Sequence, residues 1–380
     1  MRSIYLDDDL LALQRQTLEF IAREVAPQAE QWEKGGGVPR SVLRQMGELG
    51  FLGLRCPEEY GGLGRGALAS AVFSEALGSS TFGGFEVTVL VHTDMASPHL
   101  LHSGNREQQA RYLPGIVSGE RITAIAVTEP AAGSDVAGTR SSARRDGDHF
   151  VLNGSKLFIT NGVSADLLIV AARTDPANPR GISMFLVEKG TPGLSVSRKL
   201  EKTGWLSSDT AELAFQDCRV PVANLLGTLH RGFYEIMRNF QNERLVLSGM
   251  CVGASQKALE LTYAWTQSRQ AFGGVLFDKQ AIRQRLAMLQ ARVDAARQLL
   301  YHCGWLMEQG EDATREVSEL KALAGELVNE VMYACVQFHG GQGYMRESAI
   351  ERMARDARVM SIGGGATEVM LDEVAKRSKA

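Results

Sequence analysis

One stretch decides how the rest of the chain is interpreted: Ala126-Val127-Thr128-Glu129-Pro130-Ala131-Ala132-Gly133-Ser134-Asp135. Its pattern predicts the end of a strand that runs into a loop of small residues with many backbone N–H groups. Such a loop lets the main chain approach a flat ring or a phosphate closely. An ordinary polar turn has a similar composition, so the interpretation depends on what accompanies this stretch elsewhere.

A second stretch combines aromatic and hydroxyl side chains on a predicted strand: Asn153-Gly154-Ser155-Lys156-Leu157-Phe158-Ile159-Thr160-Asn161-Gly162. Side chains two residues apart on a strand share a face. Phe158 could therefore stack on a ring while Thr160 hydrogen-bonds the edge of that ring. A core phenylalanine beside a surface threonine is the alternative.

Three further stretches lie in the C-terminal part of the chain. Arg269-Gln270-Ala271-Phe272-Gly273, with Gln280 beyond it, places an arginine at a predicted helix end, where it suits a pyrophosphate or simply the helix dipole. The glycines of 337–344 follow a helix rather than a strand, which excludes a Rossmann interpretation. Arg355-Asp356-Ala357-Arg358 precedes a glycine loop in 362–369, where a ligand could lie against bare backbone.

Hydrophobic periodicity divides the chain into three regions. Leu10, Leu13 and Leu18 begin a region of helical spacing that extends to about residue 120. Short apolar runs separated by turn residues then predict strands. Helical spacing returns after residue 233, with a bundle-type seam. We predict an α+β fold with a helical domain at 1–121, a β domain at 122–232 and a second helical domain at 233–380.

Composition excludes several classes of protein. The 380 residues include 41 Lys and Arg against 44 Asp and Glu, a net charge of −3 that argues against a nucleic-acid-binding protein. The chain has no apolar run of about 18 residues that would span a membrane. Acidic residues occupy the place of a secretory signal's apolar region. The 5 cysteines form no CxxC pair, which argues against zinc or a disulfide framework and favours a cytoplasmic setting.

Together, and in this order, these stretches resemble the acyl-CoA dehydrogenase family. The most specific parts are the Thr128–Asp135 segment and Arg355-Asp356-Ala357-Arg358 with its glycine loop. The resemblance covers nearly the whole chain. It implies an N-terminal helical domain, a central β-barrel-like domain and a C-terminal four-helix bundle. It also implies one FAD per subunit, an acyl-CoA substrate, an electron-transferring flavoprotein as electron acceptor, and a homotetramer built as a dimer of dimers.

The resemblance assigns cofactor and substrate contacts residue by residue. The flavin should be lined by Val127, Thr128, Gly133, Ser134, Phe158 and Thr160, with Ser134 also near the pantetheine of the substrate. Contacts to the rest of FAD, partly across a subunit boundary, fall on Arg269, Phe272, Gln280, Gln337, Gly340, Gly341, Thr367 and Glu368.

Two positions depart from the usual family pattern around the cofactor. Phe158 stands where a Trp is common and therefore lacks the indole donor. Ala366 stands where a Thr is usual, with Thr367 beside it, so the adenylate contact at the end of the glycine loop is altered.

The catalytic base is absent from its most common position in the family. That glutamate aligns with Gly364. The chain is therefore either inactive or has its base elsewhere. Glu243, directly before Arg244, occupies the position that the isovaleryl-type and long-chain-type subfamilies use. A surface acid beside an arginine is the alternative interpretation of Glu243.

The relocated base implies a definite chemistry. A dry pocket would raise the pKa of Glu243 toward the working pH. The resemblance implies that the Gly364 N–H and an FAD ribityl hydroxyl stabilise the thioester oxygen, while Arg244 and Gly365 contact the substrate. Small residues at Gly363 and Gly364 favour a long or branched acyl chain.

We therefore predict FAD-dependent α,β-dehydrogenation of an acyl-CoA to the trans-2-enoyl-CoA. The alternatives are an acyl carrier protein-linked dehydrogenase or an acyl-CoA oxidase of a biosynthetic pathway, and a catalytically silent acyl-CoA-binding scaffold. We predict no metal site.

Overall fold

The computed structural model describes residues 3–378. Its N-terminal region is helical, and local signals explain where the helices begin and end. Asp7 caps the first helix by accepting a hydrogen bond from the Leu10 N–H, and Asn105 forms a capping box with Gln108. The helices are α1 (Asp8–Phe20), α2 (Ala29–Gly35), α3 (Arg40–Glu48), α4 (Ala67–Gly78), α5 (Gly83–Leu90), α6 (Ser97–Ser103) and α7 (Arg106–Val117), with π-helical turns at Ile21–Val25 and Val91–Ala96.

The central region is a β-sheet. Its strands are β1 (Thr123–Ala126), β2 (Ser142–Asp146), β3 (His149–Thr160), β4 (Leu167–Arg173), β5 (Ile182–Glu188), β6 (Leu194–Lys199), β7 (Thr210–Pro221) and β8 (Leu225–Leu226). The spatial order is β6-β7-β3-β2-β4-β5-β8, and β1 pairs in parallel with β4. The pairing of β3 with β7 is antiparallel and contains two register shifts.

Strands β4 and β5 are buried on both faces, which explains their continuous apolar sequence. Leu167, Ile169 and Ala171 face a cluster that includes α6 and α7. Leu168 and Val170 face the opposite cluster, inside the sheet. The sheet therefore packs against the N-terminal helices on one side and closes its own core on the other.

The C-terminal region is again helical: α8 (Gly232–Ser268), α9 (Gln280–Glu308), α10 (Thr314–His339), α11 (Ala349–Ala357) and α12 (Thr367–Arg377). A short hairpin of β9 (Gln270–Ala271) and β10 (Gly274–Val275) joins α8 to α9. The helix that carries Glu243, α8, is long, because apolar residues continue at helical spacing beyond Gly249.

The two helical regions share one hydrophobic core. Helix α4 is buried throughout its length and packs against α8 and α9, and one apolar cluster includes residues from both ends of the chain. The predicted α+β fold, with a β region between two helical ones, is confirmed. The predicted boundaries fall just before β1 and at the start of α8. Between residues 3 and 378, no helix is long and apolar enough to cross a membrane.

Candidate active site

The loop after β1 is fastened to β3. The Leu157 N–H donates to the Thr128 carbonyl at 2.9 Å, and the Lys156 ammonium donates to the Val127 carbonyl at 2.9 Å. These bonds bring Val127 and Thr128 beside the end of β3, which carries Phe158. The fold thus brings the stretches 126–135 and 153–162 together.

Glu129 is the buried anchor of this loop. Its carboxylate accepts hydrogen bonds from the fully buried Lys156 ammonium at 2.8 Å and from the N–H groups of Arg140 at 2.7 Å and Ser141 at 3.0 Å. Burial alone would raise the pKa of Glu129, but the Lys156 charge and these donors hold that pKa below its usual value. Glu129 therefore shapes the loop as a permanent carboxylate.

A β-bulge presents Phe158 to the surface. Between Lys156 and Ile159 the register of β3 against β7 shifts by one residue, and Phe158 adopts a φ of 61°. Because of the bulge, Lys156 points inward and Phe158 outward, although they are two residues apart. Phe158 is 65% exposed, while Ile159 is buried. A positive φ at a bulky residue is a strained conformation of the kind found at functional sites.

The glycine loop between α11 and α12 packs against one turn of α8. A Cβ added to Gly364 would lie 2.1 Å from Leu247 Cδ1, and a Cβ added to Gly365 would lie 3.6 Å from Arg244 Nε. Leu247 is one helical turn beyond Glu243. The loop therefore contacts the turn of α8 that carries Glu243.

Glu243 is buried rather than a surface acid. Its relative exposure is 8%, and Asn239 Nδ2 donates to its Oε1 at 3.4 Å. Burial raises the pKa of Glu243 to about 8, against the opposing effects of the Asn239 bond and the Arg244 charge. A carboxyl group with such a pKa can hold and release a proton near neutral pH.

A buried lysine shapes the glycine loop. Lys321 Nζ donates to the carbonyls of Met360 at 2.6 Å and Gly365 at 3.2 Å. Gly364 has a φ of 62° and Gly365 a φ of 104°, conformations that glycine adopts without strain. The loop is thus bent around Lys321 at the point where it meets α8.

The Arg355-Asp356-Ala357-Arg358 motif connects the three regions of the fold. Asp356 Oδ2 accepts from the Gly83 N–H of α5 at 3.0 Å, and Oδ1 accepts from the Trp205 N–H at 2.6 Å. Burial raises the pKa of Asp356 to about 6. This part of the motif is therefore a structural junction that holds the glycine loop against its surroundings.

The remaining predicted cofactor residues lie in several elements, and Arg269 and Phe272 are far from Glu243 within the chain. Arg269 follows the last residue of α8 and lies about 39 Å from Glu243 along the helix axis. Phe272 forms the turn of the β9–β10 hairpin and is 92% exposed. Gln337 lies near the end of α10, and Thr367, the first residue of α12, donates to Glu326. Gln280 is the first residue of α9. Gly340 and Gly341 form the turn after α10, and Glu368 is the second residue of α12.

Three residues that build this site have no role that the sequence predicted, although each is buried: Lys156, Asn239 and Lys321. A lysine within an apolar strand or helix was the available signal for Lys156 and Lys321, because charged residues are rarely buried without partners. Among the described residues, no group of three or more His, Cys, Asp or Glu side chains could hold a metal ion. All five cysteines are free and buried.

Comparison with known proteins finds matches across nearly the whole chain. Profiles for the N-terminal, middle and C-terminal domains of acyl-CoA dehydrogenase match residues 7–120, 124–218 and 230–379. The chain is 40% identical to the mitochondrial long-chain specific acyl-CoA dehydrogenase of Rattus norvegicus, over 94% of this chain and 84% of that protein. It is 36% identical to the mitochondrial isovaleryl-CoA dehydrogenase of Pongo abelii, over 96% of this chain and 87% of that protein.

A solved structure extends the agreement to three dimensions. The acyl-CoA dehydrogenase from Geobacillus kaustophilus superposes with a TM-score of 0.96 at 38% identity, covering 100% of both chains. The family is FAD-dependent. The chain therefore belongs to the acyl-CoA dehydrogenase family, the flavin-dependent oxidoreductases that act on the CH–CH bond of acyl-CoA.

Proposed function

We propose that Glu243 is the base that removes the α-proton of the acyl-CoA, and that the product is the trans-2-enoyl-CoA. The observation that carries this proposal is the packing of the Glu243 turn of α8 against the Gly364 loop, where the aligned carboxylate is missing. Burial of Glu243 supports it, because a desolvated carboxylate is a stronger base than one in water.

Glu243, Gly364 and Arg244 have separate roles in the proposed reaction. The Glu243 carboxylate accepts the proton from the α-carbon, and the Gly364 N–H donates to the thioester oxygen as negative charge develops there. One such donor typically contributes about 3 kcal/mol to the transition state. Arg244, which lies beside Gly365, supports Glu243 from its own helix and contacts the acyl-CoA. Bound FAD supplies the acceptor for the hydride that leaves the β-carbon.

The residues around Phe158 fit a flavin. A flavin is a flat ring with a polar edge. Phe158 is exposed, Thr160 follows it two residues later on β3, and the Thr128 carbonyl accepts from the N–H of Leu157 beside it. A Cβ added to Gly133 would meet nothing within 4 Å, so a ring can approach that backbone. We propose that Val127, Thr128, Gly133, Ser134, Phe158 and Thr160 line the isoalloxazine, with Ser134 also near the pantetheine.

The separation of Arg269 from Glu243 fits a cofactor shared between subunits. The distance along α8 prevents Arg269 and Glu243 of one chain from meeting at a single small site. We therefore propose a homotetramer in which Arg269, Phe272 and Gln280 reach the FAD of a neighbouring subunit. Gln337, Gly340, Gly341, Thr367 and Glu368 would complete the contacts to its ADP part.

We propose a long or branched acyl chain as the substrate. A Cβ added to Gly363 would come no closer than 3.7 Å to Val359, so this side of the loop has room. The relatives named for long-chain and isovaleryl substrates support the same choice. An anaerobic screen of flavin bleaching across straight and branched acyl-CoAs measures the preference. Fastest bleaching by a short straight chain would contradict it.

The base is tested by comparing two buried carboxyl groups. Glu86 is also fully buried, and burial raises its pKa to about 8, so Glu86→Gln is a matched control for Glu243→Gln. Under anaerobic conditions Glu243→Gln should retain yellow FAD absorbance and lose about 10²- to 10⁴-fold in bleaching rate. Glu86→Gln should bleach at close to the wild-type rate. Bleaching of Glu243→Gln at a wild-type rate would overturn the assignment.

We propose an electron-transferring flavoprotein as the electron acceptor and a cytoplasmic location for the protein.

The anaerobic bleaching assay also separates the alternative functions. Peroxide formation in air at the bleaching rate would indicate an oxidase instead. Faster bleaching by an acyl carrier protein thioester than by the CoA thioester would indicate a carrier-linked dehydrogenase. Absence of bleaching with every thioester would indicate a scaffold.

A further inference from the structure

Two buried asparagines of α8 hold the π-helical segment Val91–Ala96. Asn239 Nδ2 lies 3.2 Å from the Asp94 carbonyl and 3.0 Å from the Met95 carbonyl. Asn242 Nδ2 lies 2.7 Å from the same Asp94 carbonyl. The side chains of both asparagines are therefore used to satisfy backbone acceptors of the N-terminal region.

The sequence of the segment fits donors from α8. In an α-helix, the Asp94 carbonyl would accept from the N–H four residues later, but that residue is Pro98, which has no N–H. Asn239 and Asn242 supply side-chain N–H donors to this carbonyl from α8.

Asn239 also connects this clamp to Glu243. Its Nδ2 is 3.4 Å from Glu243 Oε1, which lies one turn further along α8. The two N–H bonds of one amide thus serve three acceptors. Asn242 differs, because its other contacts are the Arg55 guanidinium and the Asp94 carboxylate.

We propose that Asn239 is a positioning residue: anchored by the carbonyls of Asp94 and Met95, its amide holds the Glu243 carboxylate in place for proton transfer. This inference rests on the proposed role of Glu243 as the base. The anchor of the Asn239 amide is then the backbone of Asp94 and Met95.

Few charged groups lie near Glu243, so the Asn239 amide has a measurable influence on the pKa of Glu243. Arg244 is beside it on α8, Asp94 comes from the π-helical segment, and Arg55 reaches that segment through Asn242. Arg244 is faced in turn by Glu373 and Arg377 of α12 and by Lys321 of α10. Since the Asn239 bond and the Arg244 charge both lower the pKa of Glu243, losing the bond should raise it above about 8.

The test measures the protonation of Glu243 directly in the holoenzyme. The carboxylic C=O stretch of Glu243, isolated as an infrared difference against Glu243→Gln, is followed against pH in wild type, Asn239→Leu and Asn242→Leu. Asn239→Ser serves as a second variant if Asn239→Leu does not fold. In parallel, the rate of flavin reduction by an acyl-CoA is measured over the same pH range.

We expect the infrared midpoint to move to higher pH in the Asn239 variants and to stay in Asn242→Leu. In the Asn239 variants, the rate of flavin reduction should fall tenfold for each pH unit by which the midpoint of Glu243 moves upward. This loss should occur only at pH values below that midpoint. A folded Asn239 variant with an unchanged infrared midpoint overturns the inference, whatever the kinetics show. A displaced infrared midpoint with an unchanged kinetic profile supports the Asn239–Glu243 contact and instead refutes Glu243 as the base.

Discussion

Glu129 and Glu243 are both buried glutamates at the candidate site, and their surroundings differ. Glu129 accepts from an ammonium at 2.8 Å and from two backbone N–H groups at 2.7 and 3.0 Å. Glu243 accepts from one amide at 3.4 Å. The pKa of Glu129 accordingly lies below its usual value, while that of Glu243 is raised to about 8.

The difference separates a carboxylate that builds the site from one that can react in it. A carboxylate with several donors stays ionised and holds the loop at Val127 in place. A carboxyl group with few donors is a stronger base when ionised and can take up a proton at neutral pH. Burial alone therefore does not identify a catalytic base; the number of hydrogen-bond donors around the buried carboxylate separates the reactive group from the structural one.

The largest stability effect should come from breaking the Glu129 pair. Glu129→Gln leaves the Lys156 ammonium buried without its counter-charge, which typically costs about 3–5 kcal/mol. Denaturant unfolding should show this loss, whereas Glu243→Gln should not be destabilised at pH 7. The double variant Glu129→Gln with Lys156→Met should recover part of the loss. Destabilisation of Glu129→Gln by less than about 1 kcal/mol would remove the contrast between the two glutamates.

The pH dependence of stability should differ in sign between the two glutamates. The raised pKa of Glu243 stabilises the fold below its unfolded value of 4.5, and this contribution is lost as pH rises through about 8. The stability of Glu243→Gln relative to wild type should therefore increase across that window, by at most about 1.4 kcal/mol per pH unit. Glu86 is present in both proteins and cancels from the comparison.

Glu129 should act in the opposite direction. Its lowered pKa contributes stability above the unfolded value of 4.5, and this contribution is lost as pH falls through the lower folded value. Thermal unfolding of wild type, Glu129→Gln and Glu243→Gln between pH 4 and pH 9 measures both trends. Parallel curves for wild type and Glu243→Gln would show that the pKa of Glu243 is not raised.

A smaller effect is expected at Gly364. Gly364→Ala places a Cβ 2.1 Å from Leu247 Cδ1 at a φ of 62°, and the left-handed backbone alone costs about 1–2 kcal/mol. A carboxylate therefore cannot be returned to this position without moving Leu247. In the Glu243→Gln background, Gly364→Glu should not restore flavin bleaching. Adding Leu247→Ala to that double variant should increase the bleaching rate. Full rescue by Gly364→Glu alone would show that the loop adjusts freely.

The fold could be predicted from the sequence, because it depends on local patterns. Alternating helical and strand periodicity separated the three regions, and the family pattern led from Gly364 to Glu243. It did not predict the bulge at Phe158, since that depends on pairing between β3 and a distant strand. The Asn239 contact was equally inaccessible, because it joins α8 to backbone carbonyls of Asp94 and Met95 that are far away in the sequence.

The account depends most on Glu243 as the group that removes the α-proton. An acyl-CoA analogue with sulfur in place of the β-carbon keeps its acidic α-protons and has no β-hydride to lose. Incubated with the holoenzyme in deuterated water and recovered for mass spectrometry, it reports proton abstraction alone. We predict deuterium at the α-carbon with wild type and with Glu86→Gln, and none with Glu243→Gln. Exchange by Glu243→Gln at the wild-type rate would contradict the account.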